Sequence, residues 1–444
     1  MIGRAIGSGI VLAHLRGQGR VPYLPREQLE RVRDERIRRI VAHAAETVPY
    51  YRQLFRDLRV DPRDVRTAAD LDRLPRLDRD LVRAKPALLR SESRRSRGAL
   101  GLRTSGSTGT PLEVHHDARS VLANIAWGER ERRAVLSLCG AGFRPRELHV
   151  GYETSNFRKI LAFHEAHTLL PRPRRKQLSM LAPLDEIIAT IDRERPDLLT
   201  AYGTFVDLLF RTVAARGLAM HRPKVVMYMG EALPWERQRE IERDFGVRVM
   251  SRYCAVEAFK IGYSCELRTG FHVHEDLSHV RIVRPDGSVA APGERGEVVL
   301  SNLVNYATVL LNYPMADVAT FARESCSCGR TFRLLAEVEG RAEDNLPLTG
   351  GAILHPRAIW AALKDDHEVL QYRLVQHELD RFELDLVTAD EAAFVRAAAR
   401  ARAALGALLG NGAVIDVARR TAVGREERER TGKFRAVESR CRAA

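Results

Sequence analysis

Cysteine is scarce in this 444-residue chain, with six residues at positions 139, 254, 265, 326, 328 and 441. That is too few to staple a chain of this size, which excludes a disulfide framework. It suits a reducing, cytoplasmic setting in which a cysteine cluster serves a metal. No apolar run approaches the roughly 18 residues of a membrane-spanning helix. The short stretch Ile10-Val11-Leu12-Ala13 lacks the h-region and cleavage site of a secretory signal. Aromatic residues contribute only 6%, so Ala, Leu and Val supply most of the 45% that is apolar. Zinc-finger spacings of the nucleic-acid type and RNP-like aromatic motifs are absent. The excess of 72 basic over 58 acidic residues, a formal charge of +14, is therefore not read as a nucleic-acid footprint. It favours anionic partners, whether a membrane surface, nucleotides or coenzyme A. Basic and acidic residues interleave, as in Arg26-Glu27-Gln28-Leu29-Glu30-Arg31, which is the pattern of a solvated helix face.

What is present divides the chain. Residues 1 to about 95 read as helical, with Leu29, Val32, Ile37, Ile40 and Val41 at helical spacing. A Gly/Ser/Thr run at 104–110 precedes Pro111-Leu112-Glu113-Val114 and is expected between two strands. From 120 to 250, helical patterns such as Leu184–Arg195 and Trp235–Phe245 alternate with apolar runs such as Val225–Met229. This predicts α/β layering on a largely parallel sheet. Strands are expected at Val280–Val283 and Val298–Leu300, the second after the turn Pro292-Gly293-Glu294. Beyond Gly340 the pattern becomes α+β: a helix at 356–364, two strands over His367–Val387, an Ala-rich helix Glu391–Leu409 and a strand Ala413–Val417. The expected organisation is thus a large α/β domain over 1–340 and a small α+β domain over 341–444.

The run Thr104-Ser105-Gly106-Ser107-Thr108-Gly109-Thr110 can wrap a polyphosphate. Backbone N–H groups and hydroxyls donate, and the glycines permit close approach. It is not a Walker motif, because no Lys follows the second Gly. Alone, the run is equally compatible with a surface linker. Five further segments follow in order: Gly230-Glu231-Ala232-Leu233, Arg252-Tyr253-Cys254-Ala255-Val256-Glu257, Asn312-Tyr313-Pro314-Met315-Ala316-Asp317, Gly340-Arg341-Ala342-Glu343-Asp344 and Thr431-Gly432-Lys433-Phe434-Arg435.

Together these segments resemble the motifs of the adenylate-forming superfamily, with its large domain and small C-terminal lid. Val48-Pro49-Tyr50-Tyr51-Arg52, Cys326-Ser327-Cys328-Gly329-Arg330 and the Gly-Lys-Phe-Arg ending resemble most closely the phenylacetate–coenzyme A ligase family, with its CapK-type relatives. The resemblance implies an ATP-dependent ligase that turns a carboxylic acid, aryl or arylacetic by family default, into an acyl-adenylate. Transfer to the thiol of CoA follows by default, although an amine acceptor or transfer of AMP suits the same motifs. A catalytically silent nucleotide-binding or scaffold relative is the competing class, and retention of Glu257 and Lys433 argues against it. Homodimer formation is left open.

Residue by residue, the resemblance implies that Thr104, Ser105, Gly106, Ser107, Thr108 and Gly109 hold phosphates. Gly230, Glu231, Ala232, Arg252 and Tyr253 surround the adenine. Asp317 and Arg341 position the ribose, Glu257 binds Mg²⁺, and Lys433 is the catalytic cation. Each has a chemical reason: attack on the α-phosphorus requires neutralised phosphate charge, and Mg²⁺ prefers carboxylate and phosphate oxygens. Glu343 is the expected hinge for a lid swing.

Cys265, Cys326 and Cys328 with one histidine would supply the four ligands of structural Zn²⁺. His272 is preferred, by its resemblance to the family's Gly-Phe-His pattern, and His274 is the alternate. Cys139 and Cys254 are expected to be small core residues. Ala316 stands where the family usually has Gly, and Cys254 likewise replaces the Gly of the Tyr-Gly pair.

Overall fold

The computed structural model of the chain describes residues 2–104, 111–140, 145–152, 155–171, 174–341, 345–410, 412–424 and 434–441. Its N-terminal part is helical: α1 (Ile2–Leu15), α2 (Arg26–Thr47), α3 (Pro49–Leu58), α4 (Ala68–Asp72) and α5 (Arg79–Ala84). The apolar stripe of α2 follows its spacing, burying Leu29, Ile37, Ile40 and Val41, with Val32 only partly covered. Short α4 is fixed at its start by a capping box between Thr67 and Asp70. Helices α2, α3 and α4 pack on Leu303, Val309 and Leu311 of the large lobe.

Strands β1 (Leu100–Arg103) and β2 (Glu113–His116) pair antiparallel and bracket the Gly/Ser/Thr run, of which 105–110 lie outside the described residues. There follow α6 (Ala118–Trp127), α7 (Glu129–Cys139), β3 (Glu147–Gly151), α8 (Asn156–His167), β4 (Arg175–Ser179), α9 (Leu184–Glu194) and β5 (Leu198–Tyr202). Next come α10 (Gly203–Ala215), β6 (Val225–Met229), α11 (Trp235–Phe245) and β7 (Arg248–Tyr253). Strands β4, β3, β5, β6 and β7 are parallel neighbours. One sheet face is covered by α9, α10 and α11 through Ile187, Phe205, Leu209 and Ile241. The other is covered by α7 and α2 through Ala134, Val135 and Leu29.

The sheet continues through β8 (Gly262–Tyr263), β9 (Phe271–Val273), β10 (Ser278–Val283), β11 (Arg295–Asn302), β12 (Tyr313–Phe321) and β13 (Leu334–Arg341). It reaches 11 strands in the order β10-β11-β12-β13-β9-β8-β7-β6-β5-β3-β4. The parallel layering expected over 120–250 is present in β3–β7, and all pairings of this sheet from β7 onward are antiparallel, so the whole sheet is mixed. The cause is connection length. Short turns such as Pro292-Gly293-Glu294 cannot carry the crossover that parallel strands require.

The C-terminal part has its own layers: β14 (Leu346–Pro347), β15 (Ile353–Leu354), α12 (Pro356–Leu363), β16 (Gln371–Glu378), β17 (Arg381–Val387), α13 (Glu391–Leu409), β18 (Val414–Arg419) and β19 (Val437–Ser439). Its sheet runs β18-β17-β16-β19 over a core of Leu374, Leu384, Ala397, Ala401 and Leu405. The strand expected from His367 begins at Gln371, because Asp366–Val369 closes a turn. The protein is therefore α/β, with a large lobe and a small α+β lobe. Among the described residues no helix is long and apolar enough to cross a membrane.

Candidate active site

A cavity of about 1330 Å³ opens at the C-terminal edge of the parallel strands and is lined by both lobes. It gathers Thr104, Gly230, Glu231, Ala232, Arg252, Tyr253, Glu257 and Asp317. Such a crevice beyond the strand ends is where open α/β sheets bind ligands. Ser105, Gly106, Ser107, Thr108, Gly109, Glu343 and Lys433 lie outside the described residues. Arg341 ends β13 opposite Asp317 in the ladder, and its backbone alone is described.

The Tyr253 hydroxyl donates to Asp317 Oδ2 at 2.7 Å, tying the end of β7 to β12. Glu257 is buried on the cavity wall, and its backbone carbonyl accepts from Asn302 Nδ2 at 2.8 Å. Gly230 closes β6 at φ +79°, a left-handed turn that glycine adopts without strain. Gly203 lets α10 abut the same turn, since a Cβ there would stand 2.5 Å from the Glu231 carbonyl oxygen.

Glu231 reaches across the lobes. Its Oε1 accepts the backbone N–H of Phe434 at 2.8 Å, and its Oε2 accepts the Thr204 hydroxyl. The Phe434 ring packs with Leu370, Val387 and Val423, and Leu208 of α10 abuts this cluster. Arg211 of α10 donates to the Lys364 carbonyl. Sequence reasoning missed Thr204, Leu208 and Arg211, which sit in an ordinary amphipathic helix.

A buried charge network lies on the α7 side. Side chains alternate along a strand, so Arg252 faces away from Tyr253 and pairs through Nε with Glu131 Oε2 at 2.6 Å. Lys260 Nζ contacts Glu131 Oε1 at 3.1 Å. Behind them, fully buried Arg130 grips Asp276 with two bonds of 2.7 and 2.8 Å, and Arg36 adds a third at 2.9 Å. His274 sits between, with Nδ1 3.2 Å from Arg130 Nη1 and Nε2 3.4 Å from Glu131. Arginine only donates, so Nδ1 must accept and Nε2 carries the proton. Burial lowers the His274 pKa, in keeping with a neutral ring. In the sequence Arg252 is expected at the adenine and His274 as the alternate metal ligand, whereas Glu131, Lys260, Arg130, Arg36 and Asp276 carry no signal. Cys254, expected in the core, lines the cavity and is half-buried.

Cys265, His272, Cys326 and Cys328 converge, their ligand atoms all within 4.8 Å of one another. The Cys265 and Cys326 sulfurs are 3.7 Å apart, and Cys328 Sγ is 3.4 Å from His272 Nε2. Zn–S bonds of about 2.3 Å and Zn–N bonds of about 2.0 Å at tetrahedral angles would separate ligands by roughly 3.5–3.8 Å. The donor set therefore fits zinc, and His272 rather than His274 completes it.

No family model matches the chain. It is 29% identical over 382 residues to a phenylacetate–coenzyme A ligase of Thermus thermophilus, covering 81% of this chain and 82% of that one. A phenylacetate–coenzyme A ligase of Escherichia coli is 26% identical over 364 residues, covering 78% and 79%. Among solved structures, a 2-hydroxyisobutyryl-CoA ligase in its postadenylation state superposes with a TM-score of 0.71 at 18% identity, covering 95% and 91% of the two chains. The same ligase in its thioesterification state, at 20% identity and the same coverage, gives 0.59. With the ordered motifs and the two-lobed fold, these likenesses carry one conclusion: the chain is similar over about four fifths of its length to phenylacetate–coenzyme A ligases and shares the fold of an acyl-CoA ligase.

Proposed function

We propose that the protein activates a carboxylic acid with ATP and passes the acyl group to CoA. A carboxylate oxygen attacks the α-phosphorus, the bond to the bridging oxygen breaks, and pyrophosphate leaves with the electron pair. The CoA thiolate then attacks the acyl carbon, and AMP departs. The observation that carries this reading is the cavity that gathers Thr104, Gly230–Ala232, Tyr253, Glu257 and Asp317 from the large lobe, with the Phe434 N–H latched to Glu231. That latch holds the residue after Lys433 at the rim, as the first half-reaction needs. The match to the postadenylation form of a neighbour supports the same lid arrangement.

Glu257 would hold Mg²⁺, whose preference for one or two carboxylates plus phosphate oxygens suits its buried carboxylate on the wall. Asp317 would accept from the ribose hydroxyls, with Tyr253 fixing its second oxygen. Lys433 would place positive charge against the reacting groups. We place the lobe boundary near residue 340, where β13 ends, and the hinge at Glu343. Cys265, His272, Cys326 and Cys328 would hold a structural Zn²⁺ that ties β9 to the turn before β13. None of the six cysteines is in a disulfide, which accords with a reducing, cytoplasmic setting.

ATP–pyrophosphate exchange with a panel of carboxylic acids tests the first step. Addition of CoA or of amine acceptors then identifies the second. Lys433→Ala is expected to abolish exchange with the fold intact. Absence of exchange with every acid would overturn the assignment.

A further inference from the structure

The cavity continues from the Tyr253–Asp317 pair toward α7, and its floor there is charged. Arg252 and Lys260 share the single carboxylate of Glu131, and all three line the cavity. Glu131 is 1% exposed, whereas Arg252 and Lys260 keep 23% and 15% of their side-chain surface open. Among the described residues no other carboxylate pairs with either cation, so two positive charges meet one negative. The layer behind gives no relief: Arg130 and Arg36 likewise share one carboxylate, that of Asp276.

A surplus charge in a low-dielectric wall is costly until a counter-charge arrives. Both cations line the cavity, from which a counter-charge can approach. Glu131 takes Nε of Arg252, and the guanidinium fork is suited to bind a further carboxylate bidentately. Building on the acid activation above, we propose that the substrate acid carries a second anionic group, a carboxylate or its equivalent, that pairs with Arg252 and Lys260 while the first carboxylate reacts with ATP. This separates the chain from a ligase for an acid with an uncharged tail.

The test is ATP–pyrophosphate exchange by the full-length protein with matched acids: phenylacetate, 4-carboxyphenylacetate and its ring methyl ester, and hexanoate against adipate. The diacid is expected to exceed its uncharged counterparts at least tenfold in kcat/KM in at least one series. Arg252→Gln and Lys260→Met should each reduce that preference at least tenfold, and Arg252→Lys should retain part of it. Equal or better exchange with the uncharged acids in both series overturns the proposal alone. Absence of exchange with every acid overturns acid activation and this proposal with it. The wild-type comparison decides even where a variant fails to fold.

Discussion

The backbone N–H of Phe434 donates to Glu231 Oε1 at 2.8 Å, so the residue next to Lys433 is anchored to the turn that closes β6. A hydrogen bond to a charged acceptor contributes about 1.5–3 kcal/mol. It exists only while the small lobe stands in this position. Glu231→Ala is therefore expected to slow acyl-adenylate formation about 10- to 100-fold. Thioester formation from supplied acyl-AMP should change much less. Glu231→Gln, which keeps an acceptor oxygen, should recover part of the loss, and single-turnover measurement of each half-reaction checks the split.

Ala316 sits at φ +61° beside Asp317, in a conformation that costs an L-residue roughly 1–2 kcal/mol. Glycine avoids that cost but loses more backbone entropy on folding. Ala316→Gly is thus expected to stabilise the protein by about 0.5–1 kcal/mol, read as a rise in the denaturant midpoint. A fall would show that the methyl group packs more favourably than the backbone strains.

Cys265, His272, Cys326 and Cys328 should bind about one zinc per chain, as expected of a four-ligand structural site. Elemental analysis of protein purified without chelator is the measurement. Cys265→Ser or Cys328→Ser should lose the metal and lower Tm, whereas replacement of Cys139, which lies elsewhere in the core, should leave the metal in place.

Burial holds the pKa of His116 and of His149 down to about 4. Between that value and the ordinary 6.5, the unfolded chain binds protons that the folded chain excludes. Their contribution to stability is complete above 6.5 and is lost as pH falls toward 4. Each should remove about 1–2 kcal/mol between pH 7 and pH 5. Urea unfolding across that range should show the decline, and His149→Asn should flatten it.

Local patterns carried much of the fold. Val225–Met229, Trp235–Phe245 and Glu391–Leu409 form elements with the bounds their periodicity predicts, because apolar spacing and flanking Gly, Pro or Asp act over a few residues. The antiparallel half of the large sheet was not legible in the same way. Which strands become neighbours depends on partners far along the chain, as with β9 between β8 and β13.

For the site, the sequence by itself determined the order of the motifs, and with it the resemblance from which the first step is proposed. Those residues are identified by type and local spacing, which need no partner. Only the tertiary structure chose His272 over His274, turned Glu231 toward the small lobe, and set Arg252 and Lys260 against Glu131. In sequence, Arg130 and Asp276 are indistinguishable from the solvated charges around them. They become a buried pair because folding brings α7 against the turn after β9, 146 residues away, where water no longer screens them.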